Sequence, residues 1–147
     1  MIRLATQDDL EFLDKYDPLL MRDVLADKIN RGEVYVAGNG DQLTGLARYD
    51  FLCDLEPFLT LIYVLEPYRR KGFGTQLMEY WEQQMKEKGH RFLMTSTQAD
   101  EDAQFFYRKL GYADSGSILF PGQVPTELVL LKQLRKVGQG VGPRQKK

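Results

Sequence analysis

The sequence holds one cysteine and one histidine among 147 residues. Cys53, being alone, excludes an internal disulfide and fits a reducing compartment such as the cytoplasm. With His90 the sole histidine, there is no Cys/His cluster at metal-ligand spacing, and no metal is expected. No apolar run approaches the roughly 18 residues of a membrane span, so no membrane contact is expected. The opening stretch MIRLATQDDL lacks the charged and apolar regions of a secretion signal. Hydrophobic residues at 43% and charged residues at 28% are ordinary for a globular domain.

Net charge is close to zero at −1, yet it is unevenly placed. Residues 132–147 hold six cations and no acid, which leaves the remaining 131 residues at −7. A nucleic-acid binder places its basic charge on a folded face, so nucleic acid is not an expected partner. The run VGQGVGPRQKK has too few apolar residues for a core. We therefore expect a single domain over 1–134 and a basic, glycine-rich, flexible tail over 135–147.

Periodicity organises the rest. Ile2–Ala5 reads as a strand, followed by Thr6 as a helix cap with Asp9 three residues on. Helices are expected over Gln7–Lys15 and Pro18–Asn30, the second with Met21, Val24, Leu25 and Ile29 as its apolar stripe. Two alternating runs around Gly38-Asn39-Gly40-Asp41 form a hairpin. Phe58–Glu66 is apolar on both pleat faces, as a central, doubly covered strand is. Phe73, Leu77, Met78, Trp81 and Met85 mark a helix that ends near Gly89. A strand (Arg91–Thr97), a helix with Ala103, Phe106, Tyr107 and Leu110 inward, and strands over Tyr112–Phe120 and Glu127–Leu134 complete the order. The strand–helix–strand unit from Phe58 to Thr97 implies a parallel pair, with antiparallel neighbours on either side.

The segment EPYRRKGFGTQL crowds Arg69, Arg70 and Lys71 against Gly72 and Gly74 where a buried strand gives way to a helix. Free backbone amides and the positive end of the helix dipole meet there, which suits a phosphate or diphosphate. It is not a P-loop, which needs Gly-Lys-Ser/Thr where this chain has Gly72-Phe73-Gly74-Thr75. Nor is it a dinucleotide fingerprint, because Leu77 stands where the third glycine belongs.

VLEPYRRKGFGTQLM resembles the acyl-CoA-binding motif Q/R-x-x-G-x-G/A of the GCN5-related N-acetyltransferases, with Arg69, Gly72 and Gly74 at its fixed positions. ADEDAQFFYRKLGYADSG resembles the same family's Asn-x-x-Ala-x-x-x-Tyr-x-x-x-Gly-Phe segment through Ala103, Tyr107, Gly111 and Tyr112. The likeness in element order runs from about Ile2 to Leu134. It implies a mixed, twisted sheet of about six or seven strands with a splayed central parallel pair, flanked by about four helices. It also implies direct transfer of acetyl from acetyl-CoA, with no metal, to an amine of a small molecule or peptide. A homodimer is common in the family.

By that resemblance, the backbone of Ile62, Tyr63 and Val64 pairs with the pantetheine arm. The amides from Arg70 through Lys71, Gly72, Phe73 and Gly74 to Thr75 hold the diphosphate, with Arg69 at the motif's first position. Tyr107 sits near the sulfur. A phenol of pKa about 10 is a weaker acid than a thiol of about 8.5, so Tyr107 suits a hydrogen bond to the leaving thiolate better than full proton transfer. For the general base, Glu56 is the first choice, ahead of Asp54, Asp50 and Glu127, with Tyr63 able to hold a water. Asp100 replaces the family's Asn; it accepts from an amide, caps the next helix, or makes no contact. His90 reads as a surface loop residue and Cys53 as no nucleophile. A non-catalytic acyl-CoA sensor of the same fold is the alternative to an enzyme.

Overall fold

The computed structural model describes residues 1–134, so the expected tail over 135–147 lies outside the described residues. Seven strands form one sheet: β1 (Ile2–Leu4), β2 (Val34–Asn39), β3 (Gln42–Leu52), β4 (Glu56–Val64), β5 (Phe92–Gln98), β6 (Ala113–Ile118) and β7 (Glu127–Gln133). Their order is β1-β2-β3-β4-β5-β7-β6, and every neighbouring pair is antiparallel except β4–β5. Helices α1 (Leu10–Tyr16), α2 (Arg22–Asn30), α3 (Phe73–Glu87) and α4 (Ala103–Lys109) complete the fold. None of these is long and apolar enough to cross a membrane.

Strand alternation sends side chains into two cores. Val34, Val36 and Leu46 pack with Leu13, Leu25 and Ile29 of α1 and α2. Tyr35, Ala37, Ala47 and Tyr49 pack on the opposite face with Leu77, Met78, Trp81 and Met85 of α3 and Tyr107 of α4. The four α3 residues are fully buried. Each contributes roughly 1.5–3 kcal/mol of burial, which explains why so regular a stripe forms this helix.

Residues 59 and 61 should share a face if β4 were regular. They do not: Leu59 lies in the α3 core and Leu61 packs on the α1/α2 core. The register with β3 shows why. Arg48 faces Leu61 and Tyr49 faces Leu59, so Thr60 is an extra residue, a β-bulge. The Thr60 hydroxyl accepts from Arg48 Nη1 at 2.9 Å and donates to the Arg48 carbonyl at 3.0 Å. Arg48 in turn donates from Nε to Asp17 Oδ2 at 2.6 Å and from Nη2 to Asp17 Oδ1 at 3.3 Å. The Asp17 side chain is wholly inaccessible to solvent.

The same pair corrects the second helix. It begins at Arg22, four residues after the expected Pro18. Asp17 Oδ1 also accepts the Leu19 N–H at 3.0 Å, which turns the chain away from helical geometry. Met21 is thereby left outside the helix with extended dihedrals, and both Met21 and Val24 are exposed; only Leu25 and Ile29 of the expected stripe face inward. At the chain start, the expected cap is present in altered form. Asp9 accepts the Thr6 N–H at 2.8 Å, and a 3-10 turn over Gln7–Asp9 precedes α1.

Removing one partner of a buried ion pair strands the other. Asp17→Ala is expected to lower unfolding free energy by about 3–5 kcal/mol in chemical denaturation. Arg22→Ala, which breaks only exposed contacts of 3.5 Å to Glu11 and Asp14, should stay within about 1 kcal/mol. Similar small losses for both variants would refute a structural role for Asp17.

Candidate active site

The glycine- and cation-rich segment sits between β4 and α3. After a 3-10 turn over Glu66–Tyr68, the chain takes positive φ at Arg70 (60°) and Gly72 (88°) and enters α3 at Phe73. A methyl group on Gly72 would meet nothing within 4 Å, so the requirement at this position is conformational. The first intrahelical bond of α3 runs from Gln76 N to Gly72 O at 2.9 Å, and no side chain caps the helix. The amides of Phe73, Gly74 and Thr75 therefore have no intrahelical acceptor. They border a cleft of about 270 Å³ whose walls include Val64, Tyr68, Arg70, Thr75 and Phe106. Such a cleft suits an anion.

The three cations do not behave alike. Arg69 Nε donates to the Val64 carbonyl at 2.8 Å, and its guanidinium lies 5.3 Å from the Tyr63 ring centroid. The side chain thus folds back on the end of β4. Lys71 Nζ lies 6.0 Å from the Tyr68 ring centroid. Arg70 lines the cleft.

The parallel ladder between β4 and β5 is two residue pairs long, Phe58↔Met94 and Leu59↔Thr95. Beyond Leu59 the strands part, while β4 stays paired with β3 as far as Gly45↔Val64. Ile62, Tyr63 and Val64 thus present an edge without a strand partner on the β5 side. Ile62 and Val64 point to the α3 core, whereas Tyr63 points to α1 and stacks on Tyr16 with centroids 5.9 Å apart.

Tyr107 stands where the strands part. It is 5% exposed and lies beside Thr95, whose hydroxyl donates to the Leu59 carbonyl at 3.1 Å. Burial pushes its phenol up to about 12, and the Glu101 charge adds to the rise. Tyr112 is tied elsewhere. It donates to Glu82 Oε2 at 2.9 Å, and Lys132 donates to the other oxygen at 2.9 Å, so this position joins α3 to β7.

The carboxylates considered as bases are dispersed. Glu56 is half-buried at the first position of β4, opposite Leu52. Glu127 accepts from Gln123 Nε2 at 3.0 Å in the β6–β7 connection. Asp50 and Asp54 border a separate cleft beside α2. Asp100 does not cap α4: Asp102 holds that position, and Asp100 is exposed in the preceding turn. His90 is half-buried against Phe51, with centroids 5.8 Å apart. Burial and then the Lys88 charge hold its protonation below the ordinary histidine range. Cys53 is exposed in the β3–β4 turn at φ 53°. Among the described residues, no three His, Cys, Asp or Glu side chains gather to hold a metal ion.

Sequence reasoning missed Thr95, Thr60 and Arg48. Each carried a faint signal, a polar residue inside a run otherwise apolar enough to be buried. It missed Gly45 as well.

The fold as a whole is similar to that of known acetyltransferases. The E. coli ribosomal-protein-S18-alanine N-acetyltransferase is 17% identical, with coverage of 97% of this chain and 98% of that one and a TM-score of 0.76. The PaiA N-acetyltransferase of Thermoplasma acidophilum, solved with coenzyme A, is 18% identical, with 90% and 98% covered and a TM-score of 0.74. Arabidopsis thaliana Naa50, solved with the bisubstrate analogue CoA-Ac-MVNAL, is 20% identical, with 90% and 97% covered and a TM-score of 0.73. No curated protein matches in sequence. The family model for the acetyltransferase (GNAT) family matches residues 2–112. The chain belongs to that family.

Gly45 holds the end of β4 in place. A methyl group there would lie 2.8 Å from the Tyr63 carbonyl oxygen and 3.4 Å from Leu77 Cδ1. Gly45→Ala is expected to cost about 1–3 kcal/mol in urea denaturation, as overpacking does. A variant of wild-type stability would mean that β4 yields at no cost.

Proposed function

We propose that the chain is an N-acetyltransferase that moves the acetyl group of acetyl-CoA directly to a primary amine of a small molecule or peptide. The observation that carries this reading is the Tyr107 phenol, buried on Thr95 where β4 and β5 part. The fit to the cosubstrate rests on the other end of the gap. Three unpaired amides at the start of α3, two positive-φ residues and an adjoining cleft match a diphosphate. Acetyl-CoA supplies an activated thioester when bound.

The chain's own residues do the rest. The open edge of β4 at Ile62, Tyr63 and Val64 offers backbone partners to the extended arm. The amides from Arg70 to Thr75 hold the diphosphate, and Arg70 and Lys71 add attraction. Arg69 acts by fixing the end of β4, since its Nε is already committed to the Val64 carbonyl. Tyr107 steadies the departing thiolate. With the phenol near 12 and a thiol near 8.5, full proton transfer is uphill by about 5 kcal/mol, so Tyr107 donates a hydrogen bond and keeps its proton until the product leaves. Glu56, on the strand that borders the gap, is the proposed acceptor of the amine proton, directly or through water. An alkylammonium of pKa about 10.4 requires roughly 4–5 kcal/mol to deprotonate at pH 7, which makes a base useful.

Free-thiol release across a panel of amines tests the activity. Acetyl-CoA binding without release to any amine would make the protein a sensor. With a working acceptor, Tyr107→Phe should slow the chemical step by about 10²–10⁴-fold in single-turnover kinetics and leave acetyl-CoA affinity nearly unchanged. An unchanged step would return Tyr107 to the core.

The first atom of a side chain at Gly74 would sit 3.5 Å from Phe106, an ordinary contact. The further methyls of Gly74→Val project into the confined space beside the cleft. The variant should fold, as thermal melting would show, and lose about tenfold or more in acetyl-CoA affinity by calorimetry. Wild-type affinity in the folded variant would move the diphosphate elsewhere.

A further inference from the structure

Tyr107 has a second buried tyrosine against it. The family's second segment ends in Gly-Phe where this chain has Gly111-Tyr112, so the added hydroxyl is a departure that calls for a reason. Tyr112 is 2% exposed, and three of its groups are engaged. Its N–H donates to the Tyr107 carbonyl at 3.1 Å across the positive-φ turn at Gly111. Its ring stands edge-on to the Tyr107 ring, with centroids 6.0 Å apart. Its hydroxyl donates to Glu82 Oε2 of α3 at 2.9 Å. Glu82 is held in turn. Lys132 of β7 donates to its other oxygen at 2.9 Å, and the Lys132 stem runs beside Gly111, where a methyl group would lie 3.5 Å from Cε. A carboxylate this buried stays charged only when paired, and Lys132 supplies the pair.

From these contacts we propose that Tyr112 is a positioning residue for Tyr107, anchored through its hydroxyl by Glu82 and Lys132. Helix α4 has seven residues, too few to hold its own shape, so outside contacts must fix the Tyr107 ring. The anchor joins α3, α4 and β7 at one point, and Tyr107 meets it through both backbone and ring. A second tie from the same turn, Arg108 to Asp114 at 2.7 Å, is exposed and screened by water. The catalytic consequence rests on the function proposed above. There the phenol must reach the departing sulfur, and a misplacement of about 1 Å costs about 10²-fold.

Tyr112→Phe keeps the ring and the N–H and removes only the anchor. Glu82 retains Lys132, so the variant should fold, as thermal melting checks. The first readout needs no activity. In isotopically ring-labelled protein, the Tyr107 signals are those lost in Tyr107→Phe, and their NMR line shapes give its ring-flip rate. Flips faster by about tenfold or more are expected in Tyr112→Phe. Lys132→Met, which frees Glu82 and leaves both tyrosines intact, should act in the same direction, and Asp114→Asn should not. The second readout is kinetic. With a working acceptor, Tyr112→Phe should lower kcat by about tenfold and leave the KM for acetyl-CoA unchanged. Unchanged flips in both variants, or equal acceleration in Asp114→Asn, would overturn the anchor whatever the activity. Faster flips with an unchanged kcat would overturn the positioning role and leave the proposed function standing. No thiol release from the wild type would sink that function alone, with the flip rates still deciding the anchor.

Discussion

The Asp17–Arg48–Thr60 linkage is the constraint on which the rest of this structure depends. A carboxylate with no solvent access is tolerable only because three donors converge on it, two from Arg48 and the Leu19 amide. The linkage ends α1, delays α2, and pins the extra residue in β4. Without that extra residue, Leu61 and Tyr63 would point to the α3 core and Ile62 and Val64 to α1 and α2. The bulge thus decides which side chains line which face of the open strand edge.

The site follows from where that edge lies. β4 keeps β3 on one side through Val64 and loses β5 on the other after Leu59. The gap is shallow at Thr95, where Tyr107 is buried, and open at the start of α3, where amides and cations gather. A buried neutral phenol at one end and an electropositive helix start at the other suit a long ligand with a reactive tip and an anionic middle. The fold places the two ends on different helices, and the sheet between them sets their separation.

Charge is managed differently on the two faces. On the α1/α2 face, buried cations are paired one by one: Lys28 with Glu33 and Arg48 with Asp17. On the α3 face, Glu82 is shared between Tyr112 and Lys132. Arg70 beside the anion-suited cleft, and Asp50 and Asp54 beside the other, are among the charged groups that have no ion pair among the described residues.

The sequence by itself determined the order of strands and helices, the hairpin, the inward stripe of α3, the helix-start motif, and the inward position of Tyr107. These rest on local rules, since period-2 and period-3.6 patterns and positive-φ glycines act over a few residues. Tertiary structure alone decided the start of α2 at Arg22, the exposure of Met21, the fold-back of Arg69 onto Val64, and the isolation of Asp50 and Asp54. It also decided that Asp102 rather than Asp100 begins α4. The reason is separation along the chain. Asp17 and Arg48 are 31 residues apart, and no local pattern announces that a carboxylate in a loop and a guanidinium in a hairpin will share one buried site. Once they do, the register of β4 and the shape of the gap are settled by that pairing.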